Sequence, residues 1–256
     1  MRKHIHPAAI HFTQFMEHLP ELFDHEGQLL YEGRNKIKCF TIEGVKMVVK
    51  RYKRPNLFQA IVYTFFRKSK AQRAYEHAIR LREMGFDTPA PIGWSEYFRH
   101  GLLSDSYLIT WHTSDTALTQ AARNWPSEEA IPILNAFVRF TIRLHEAGIE
   151  HCDFNHSNIL YKYDIKANNY RFQLIDINRM RFHKQHLNMR RCMINLRRLS
   201  VSGEVFLYLL NRYAEERKWL LEETLLQGVI YRLLFLRRQR LKKQFREHKT
   251  KISAKK

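Results

Sequence analysis

The sequence predicts an α+β fold in two lobes: a small antiparallel β-rich N-lobe, then a mainly helical C-lobe. Two patterns predict it. Between positions 29 and 111, short β-branched and aromatic runs are punctuated by turn residues. From position 126 onward, apolar residues recur at three- and four-residue steps. A chain of 256 residues can bury a full core, as one large domain or as two small lobes.

Residues 1–28 read as a lead-in, irregular or short-helical, through which His4, His6, His11, His18 and His25 are scattered. Their spacing is irregular and no Cys or carboxylate cluster joins them, which argues against a metal centre there. Strands follow at Leu29–Tyr31, Lys36–Ile42 and Lys46–Tyr52. The last two flank Glu43-Gly44, a hairpin signature. Residues 57–85 read as helical, with Ser69 leading into the Arg73–Met84 run and Gly85 as its C-cap. Two more strands lie near 92–98 and 106–111. The apolar pattern then breaks at His112–Thr116, which sets the N-lobe at 29–111 and the C-lobe at 112–236. Pro126-Ser127-Glu128-Glu129 opens a helix whose Ile133, Phe137, Phe140, Thr141 and Leu144 share a face, and Gly148 closes it. Apolar stripes at 196–211 and 219–236 read as core helices. Residues 237–256 form a densely basic tail.

The chemistry concentrates where the long helix ends. His151-Cys152-Asp153-Phe154-Asn155-His156-Ser157-Asn158 places an Asp five residues before an Asn, and Asp176 follows eighteen residues later between apolar neighbours. A lone Asp or Asn in a loop is ordinarily a turn former. The combination fits phosphoryl transfer, in which one Asp orients a substrate hydroxyl while an Asn and a second Asp hold magnesium. Lys50 ends a β-branched run; taken alone it reads as a solvated edge lysine. Glu76, on the helix after that strand, gains interest as a partner able to align Lys50 with phosphates.

Composition points to an anionic partner. Forty-four Lys and Arg against 25 Asp and Glu give a net charge of +19, while 45% apolar and 27% charged residues are ordinary for a globular protein. Cys39, Cys152 and Cys192 lie far apart, which argues against a disulfide framework and for a reducing compartment. No apolar run approaches the roughly 18 residues that span a bilayer, and no secretory h-region follows the N-terminal basic residues. The expected location is cytoplasmic.

These motifs resemble the lipopolysaccharide kinase family, the Kdo and heptose kinases of the inner core, over roughly residues 29–200. The Tyr31–Lys38 entry and the Ile175–Met180 segment are similar to the version found in Bacteroidetes-type bacteria. The resemblance implies a protein-kinase-like fold, ATP and Mg2+ as cofactors, and a Kdo–lipid A type lipopolysaccharide precursor as acceptor. It makes Asp153 the catalytic Asp and Asn158 and Asp176 the metal ligands. Lys50 would contact the α- and β-phosphates and pair with Glu76. The glycine-rich loop of protein kinases is missing, Gly33 being the one glycine between Leu29 and Ile42, so Arg34, Lys36 and Lys38 are candidates to replace backbone cradling with charge, a solvated strand face being the equal alternative. Asn178 stands where such kinases carry a glycine, and no A-P-E segment follows, which favours a small or glycolipid acceptor over a protein. The basic face and tail would hold the enzyme on the anionic inner leaflet, peripheral on the inner face of the inner membrane; nucleic acid is disfavoured as a partner. The alternatives are a kinase with a small-molecule or protein acceptor, and a non-catalytic pseudokinase that binds anionic membrane or nucleic acid.

Overall fold

The computed structural model describes residues 1–253, with side chains described for 1–245 and for 247. The end of the basic tail expected at 237–256 therefore lies outside the described residues. The chain forms two compact units, Met1–Asp115 with Gln173–Arg179, and Thr116–Phe172 with Met180–Lys256. The return of 173–179 to the first unit was not foreseen. It follows from bonding: Leu174 N donates to Asp87 O at 3.0 Å, and the His77 ring donates to Ile177 O at 2.8 Å.

The first unit is built on one six-stranded sheet. Its strands are β1 (Arg2–Ile5), β2 (Gln28–Glu32), β3 (Lys36–Ile42), β4 (Val45–Arg51), β5 (Pro91–Arg99) and β6 (Leu102–Trp111), in the order β1-β5-β6-β4-β3-β2. Alternation sets the faces. Met47 and Val49 of β4 are fully buried, and with Phe40, Ile92, Tyr107 and Ile109 they meet Phe12, Phe15, Met16, Leu19 and Phe23. The expected lead-in is thus part of this core. Its apolar residues recur at three- and four-residue steps through α1 (Thr13–Glu17) and α2 (Leu19–His25), and β1 pairs with β5. Gly93 permits that pairing, because a Cβ there would stand 2.5 Å from His4 O.

The helical stretch read at 57–85 is broken in two. Asn56 caps α3 (Leu57–Ile61), which widens into a π-turn over Val62–Phe66. Ser69 then caps α4 (Lys70–Glu83) by accepting from Gln72 N at 3.1 Å. The second cap signal, Ser69, marks the break. α4 packs on β5, β6 and the Ile177–Arg179 turn.

In the second unit, β7 (Thr116–Ala117) and the short α5 (Thr119–Arg123) precede α6 (Ala130–Glu146), the central buried helix. Then come β8 (Ile149–Glu150), β9 (Ile159–Asp164), β10 (Asn169–Leu174) and β11 (Arg181–Phe182), followed by α7 (Met189–Leu196), α8 (Gly203–Arg217) and α9 (Leu221–Ser253). Helix α9 runs through position 237 without a break, so the basic segment continues the helix rather than starting a separate element. Gly228 lets α8 and α9 approach closely: a Cβ there would stand 2.4 Å from a Leu210 methyl. No described helix is long and apolar enough to cross a membrane.

His145 is the polar pin of this core. Fully buried on α6, it pairs through Nδ1 with the Tyr213 hydroxyl at 2.9 Å, while Asn195 Nδ2 donates to its Nε2 at 2.9 Å. Burial pushes its pKa from 6.5 down to about 3. The unfolded chain therefore binds a proton that the folded chain refuses, and stability falls as pH drops below 6.5. The loss is expected to be about 1.4 kcal/mol per pH unit, or roughly 2 kcal/mol between pH 7 and pH 5. Urea titrations at the two pH values measure it, and His145→Gln is expected to flatten the difference.

Candidate active site

Alternation turns Lys50 to the sheet face opposite Met47 and Val49. There its side chain, 14% exposed, places Nζ 2.7 Å from Asp176 Oδ1. Asp176 adopts a left-handed backbone, φ 56°, which a non-glycine residue holds only where its surroundings impose it. Asn178 Nδ2 donates to the same Oδ1 at 2.8 Å. The Oδ1 of Asn178 and the hydroxyl of Tyr52 are buried without a hydrogen-bond partner among the described residues. Tyr52 lies under Lys50, whose Nζ is 5.3 Å from the ring centroid; burial and then the Asp176 charge raise its pKa. The first unit thus carries a half-buried lysine–aspartate pair beside unsatisfied oxygens.

The expected Lys50–Glu76 pair is absent. Glu76 lies 2.7 Å from Lys68 Nζ and accepts from Gln72 Nε2 at 3.1 Å, on an exposed flank of α4. Helical phase explains the difference. The face of α4 toward Ile177–Arg179 carries Lys70, Arg73 and His77, at spacings of three and four, and Glu76 points a quarter-turn away. His77 holds the Asp176 segment by its bond to Ile177 O, and burial lowers its pKa. Desolvation, then Arg34, Arg179 and Arg73, lower that of Lys70. The sequence did contain a signal for this collar: cations in the first turn of a helix oppose its dipole, and an anion would relieve the conflict.

Arg34 and Lys36 line a cavity of about 380 Å³ with Asp24, Arg51, Lys53, Arg54 and Asp105. Lys36 is engaged by Glu32. Arg34 is near enough to depress Lys70.

The second unit carries Asp153 and Asn158. Phe154, fully buried, stacks on Phe137 at 5.8 Å and anchors the loop that follows β8. Asp153 N donates to the buried His151 Nδ1 at 3.2 Å, so His151 braces the loop as expected. Asn158 Nδ2 donates to Asp153 O at 3.0 Å, which leaves its Oδ1 as the remaining acceptor. The Asp153 carboxylate, 41% exposed, lies 3.6 Å from Arg198, a residue that the sequence reading missed. Also missed was buried Glu150, which joins His183 at 3.2 Å and Arg191 at 3.4 Å and so fastens the segment after Asp176 to the strand before Asp153.

These donors suit magnesium. The ion takes oxygen ligands and is commonly held by one or two carboxylates plus substrate phosphates. Asp176 offers a partly exposed carboxylate and Asn158 an amide oxygen. Among the described residues, no group of three or more His, Cys, Asp and Glu converges as an all-protein metal cage.

Residues 26–220 match the model of the lipopolysaccharide kinase (Kdo/WaaP) family. Among solved structures, the chain is similar to one described as WaaP in complex with acyl carrier protein. The sequences are 17% identical, the TM-score is 0.60, and the match covers 94% of this chain and 99% of that one. That likeness establishes the protein-kinase-like fold. No curated protein matches.

The anchoring role of His77 has a direct test. His77→Ala leaves the Ile177 carbonyl without its donor, a loss worth about 1–3 kcal/mol for a buried group. Hydrogen exchange at residues 176–179 is expected to accelerate by about tenfold or more, while the amides of β3 and β4 keep their protection.

Proposed function

The chain belongs to the lipopolysaccharide kinase (Kdo/WaaP) family, and from that premise we propose that it transfers the γ-phosphate of ATP, with magnesium, to a Kdo or heptose hydroxyl of the inner core. The observation that carries this reading is the Lys50–Asp176 pair at 2.7 Å. A cation donor and an anionic oxygen ligand are held together there, ready to be taken up by a phosphate and a metal ion.

Each residue has a chemical part in this proposal. Asp153 orients the acceptor hydroxyl and takes its proton. Arg198 keeps that carboxylate in place, and His151 braces the loop. Lys50 turns from Asp176 to the α- and β-phosphates. Asp176 and Asn158 would hold magnesium, which when bound would neutralise charge on the phosphates. Lys70, Arg73 and Arg34 supply the positive field that a glycine-rich loop provides through backbone N–H groups. Glu76 drops out of the phosphate-aligning role, because its partner is Lys68.

The net charge of +19 supports a membrane-embedded, anionic acceptor of Kdo–lipid A type, with the enzyme peripheral on the inner face of the inner membrane. Helix α9 adds exposed Leu233, Leu234, Leu241 and Phe245 among its basic residues. The same charge also suits an acidic protein partner; the similar WaaP structure is described as a complex with acyl carrier protein.

The test is transfer from labelled ATP to a Kdo–lipid A precursor. Asp153→Asn is expected to reduce transfer by about a thousandfold, and Lys50→Met by about a hundredfold. Glu76→Gln is expected to cost less than about fivefold, as for an exposed ion pair. Equal losses for Lys50→Met and Glu76→Gln would restore the Lys50–Glu76 pair as the working arrangement. Absence of transfer by the wild type to this acceptor, or to soluble Kdo and heptose, would overturn the proposal.

A further inference from the structure

The α3 segment reverses the usual arrangement of a surface helix. Leu57 is 70% exposed, Phe58 76%, Phe65 68% and Phe66 81%. Its small and polar residues face inward. Ala60 is buried, and the Thr64 hydroxyl donates to Ala60 O at 2.7 Å while accepting from Leu103 N at 2.9 Å. The segment is therefore pinned to the end of the β5–β6 hairpin with its large apolar side chains turned to solvent. Four such side chains within ten residues, on an element fixed to the sheet, form a surface built for contact.

The surroundings identify the partner. Exposed Lys53 and Arg54 precede the helix, and exposed Arg67 and Lys68 follow the π-turn. The cationic cavity described above adjoins this N-terminal flank. In it, Arg51 is committed to Asp24 at 2.6 Å and Arg54 to Asp105 at 2.7 Å. Lys53 remains without a carboxylate partner among the described residues, as a donor for an incoming phosphate. Aromatic side chains on a short helix flanked by basic residues are the chemistry of an interfacial element in an anionic bilayer.

We propose that Leu57–Phe66 docks the protein on an anionic lipid surface, with Phe58, Phe65 and Phe66 entering the headgroup boundary and Lys53 receiving a lipid phosphate. This rests on, and gives a site to, the membrane-bound acceptor proposed above. It also gives the first unit a membrane contact of its own, independent of α9.

The test is vesicle flotation of the full chain and of the combined Phe58→Ser, Phe65→Ser, Phe66→Ser variant, with phosphate transfer to soluble Kdo followed in parallel. All three substitutions are at exposed positions, and an unchanged circular dichroism spectrum verifies folding. The wild type is expected to float with vesicles containing phosphatidylglycerol and far less with phosphatidylcholine alone. The variant's partition is expected to fall by about tenfold or more, with transfer to soluble Kdo unchanged. Three results would overturn the proposal: equal flotation of variant and wild type, equal flotation of the wild type on both lipids, or no flotation of the wild type. In the last case, Phe-dependent binding to an acidic protein would identify the patch as a protein-docking surface. Flotation as expected, with no wild-type transfer to any acceptor, would overturn the kinase reading and leave the docking element standing.

Discussion

Lys50 and Asp176 are 126 residues apart in the chain and 2.7 Å apart in space. Their pairing draws the segment after β10 onto the sheet of the first unit, together with the Leu174–Asp87 and His77–Ile177 bonds. It also fixes Asp176 in a left-handed backbone that an ordinary strand-to-turn passage would not adopt. A half-buried pair of this kind is not retained for stability alone, since desolvation offsets most of its attraction. In the proposed reaction its worth lies in keeping two opposite charges side by side until a phosphate and a cation take them up.

Around that pair, the proposal gives positive charge the part that backbone geometry has in glycine-loop kinases. Lys70 and Arg73 sit in the first turn of α4, where they oppose the helix dipole, and Arg34 and Arg179 depress Lys70 further. Such repulsion is costly in the free protein and is relieved by a polyphosphate. On the outer flank of the sheet, exposed Lys53 precedes the segment that carries exposed Phe58, Phe65 and Phe66. An overall charge of +19 is therefore distributed to particular places rather than spread as a solubilising coat.

Much of the architecture was legible in the sequence because it follows short-range rules. Two-residue alternation located β3 and β4 around the Glu43-Gly44 turn, three- and four-residue steps located α6, and the spacing of Asp153, Asn158 and Asp176 is what singles those residues out for the proposed reaction. What escaped depends on phase and on long-range partners. Glu76 and His77 are adjacent, and nothing in their identities says which one α4 turns toward the Asp176 segment. Residues 1–28 looked irregular because their apolar positions run through several short helices, too brief for a clear period. The exposure of Phe58, Phe65 and Phe66 was invisible for the opposite reason: an apolar helical pattern ordinarily means core, and only the inward Ala60 and Thr64 show which face was buried.

In the proposed reaction, Asp176 is the ligand that couples magnesium to nucleotide. Calorimetric titration of ATP, with and without magnesium, into the wild type and Asp176→Asn measures that coupling. Magnesium is expected to tighten ATP binding to the wild type by about tenfold or more, a coupling of about 1.4 kcal/mol, and to leave Asp176→Asn unaffected. ATP affinity indifferent to magnesium in the wild type, or a magnesium effect that survives in Asp176→Asn, would contradict it.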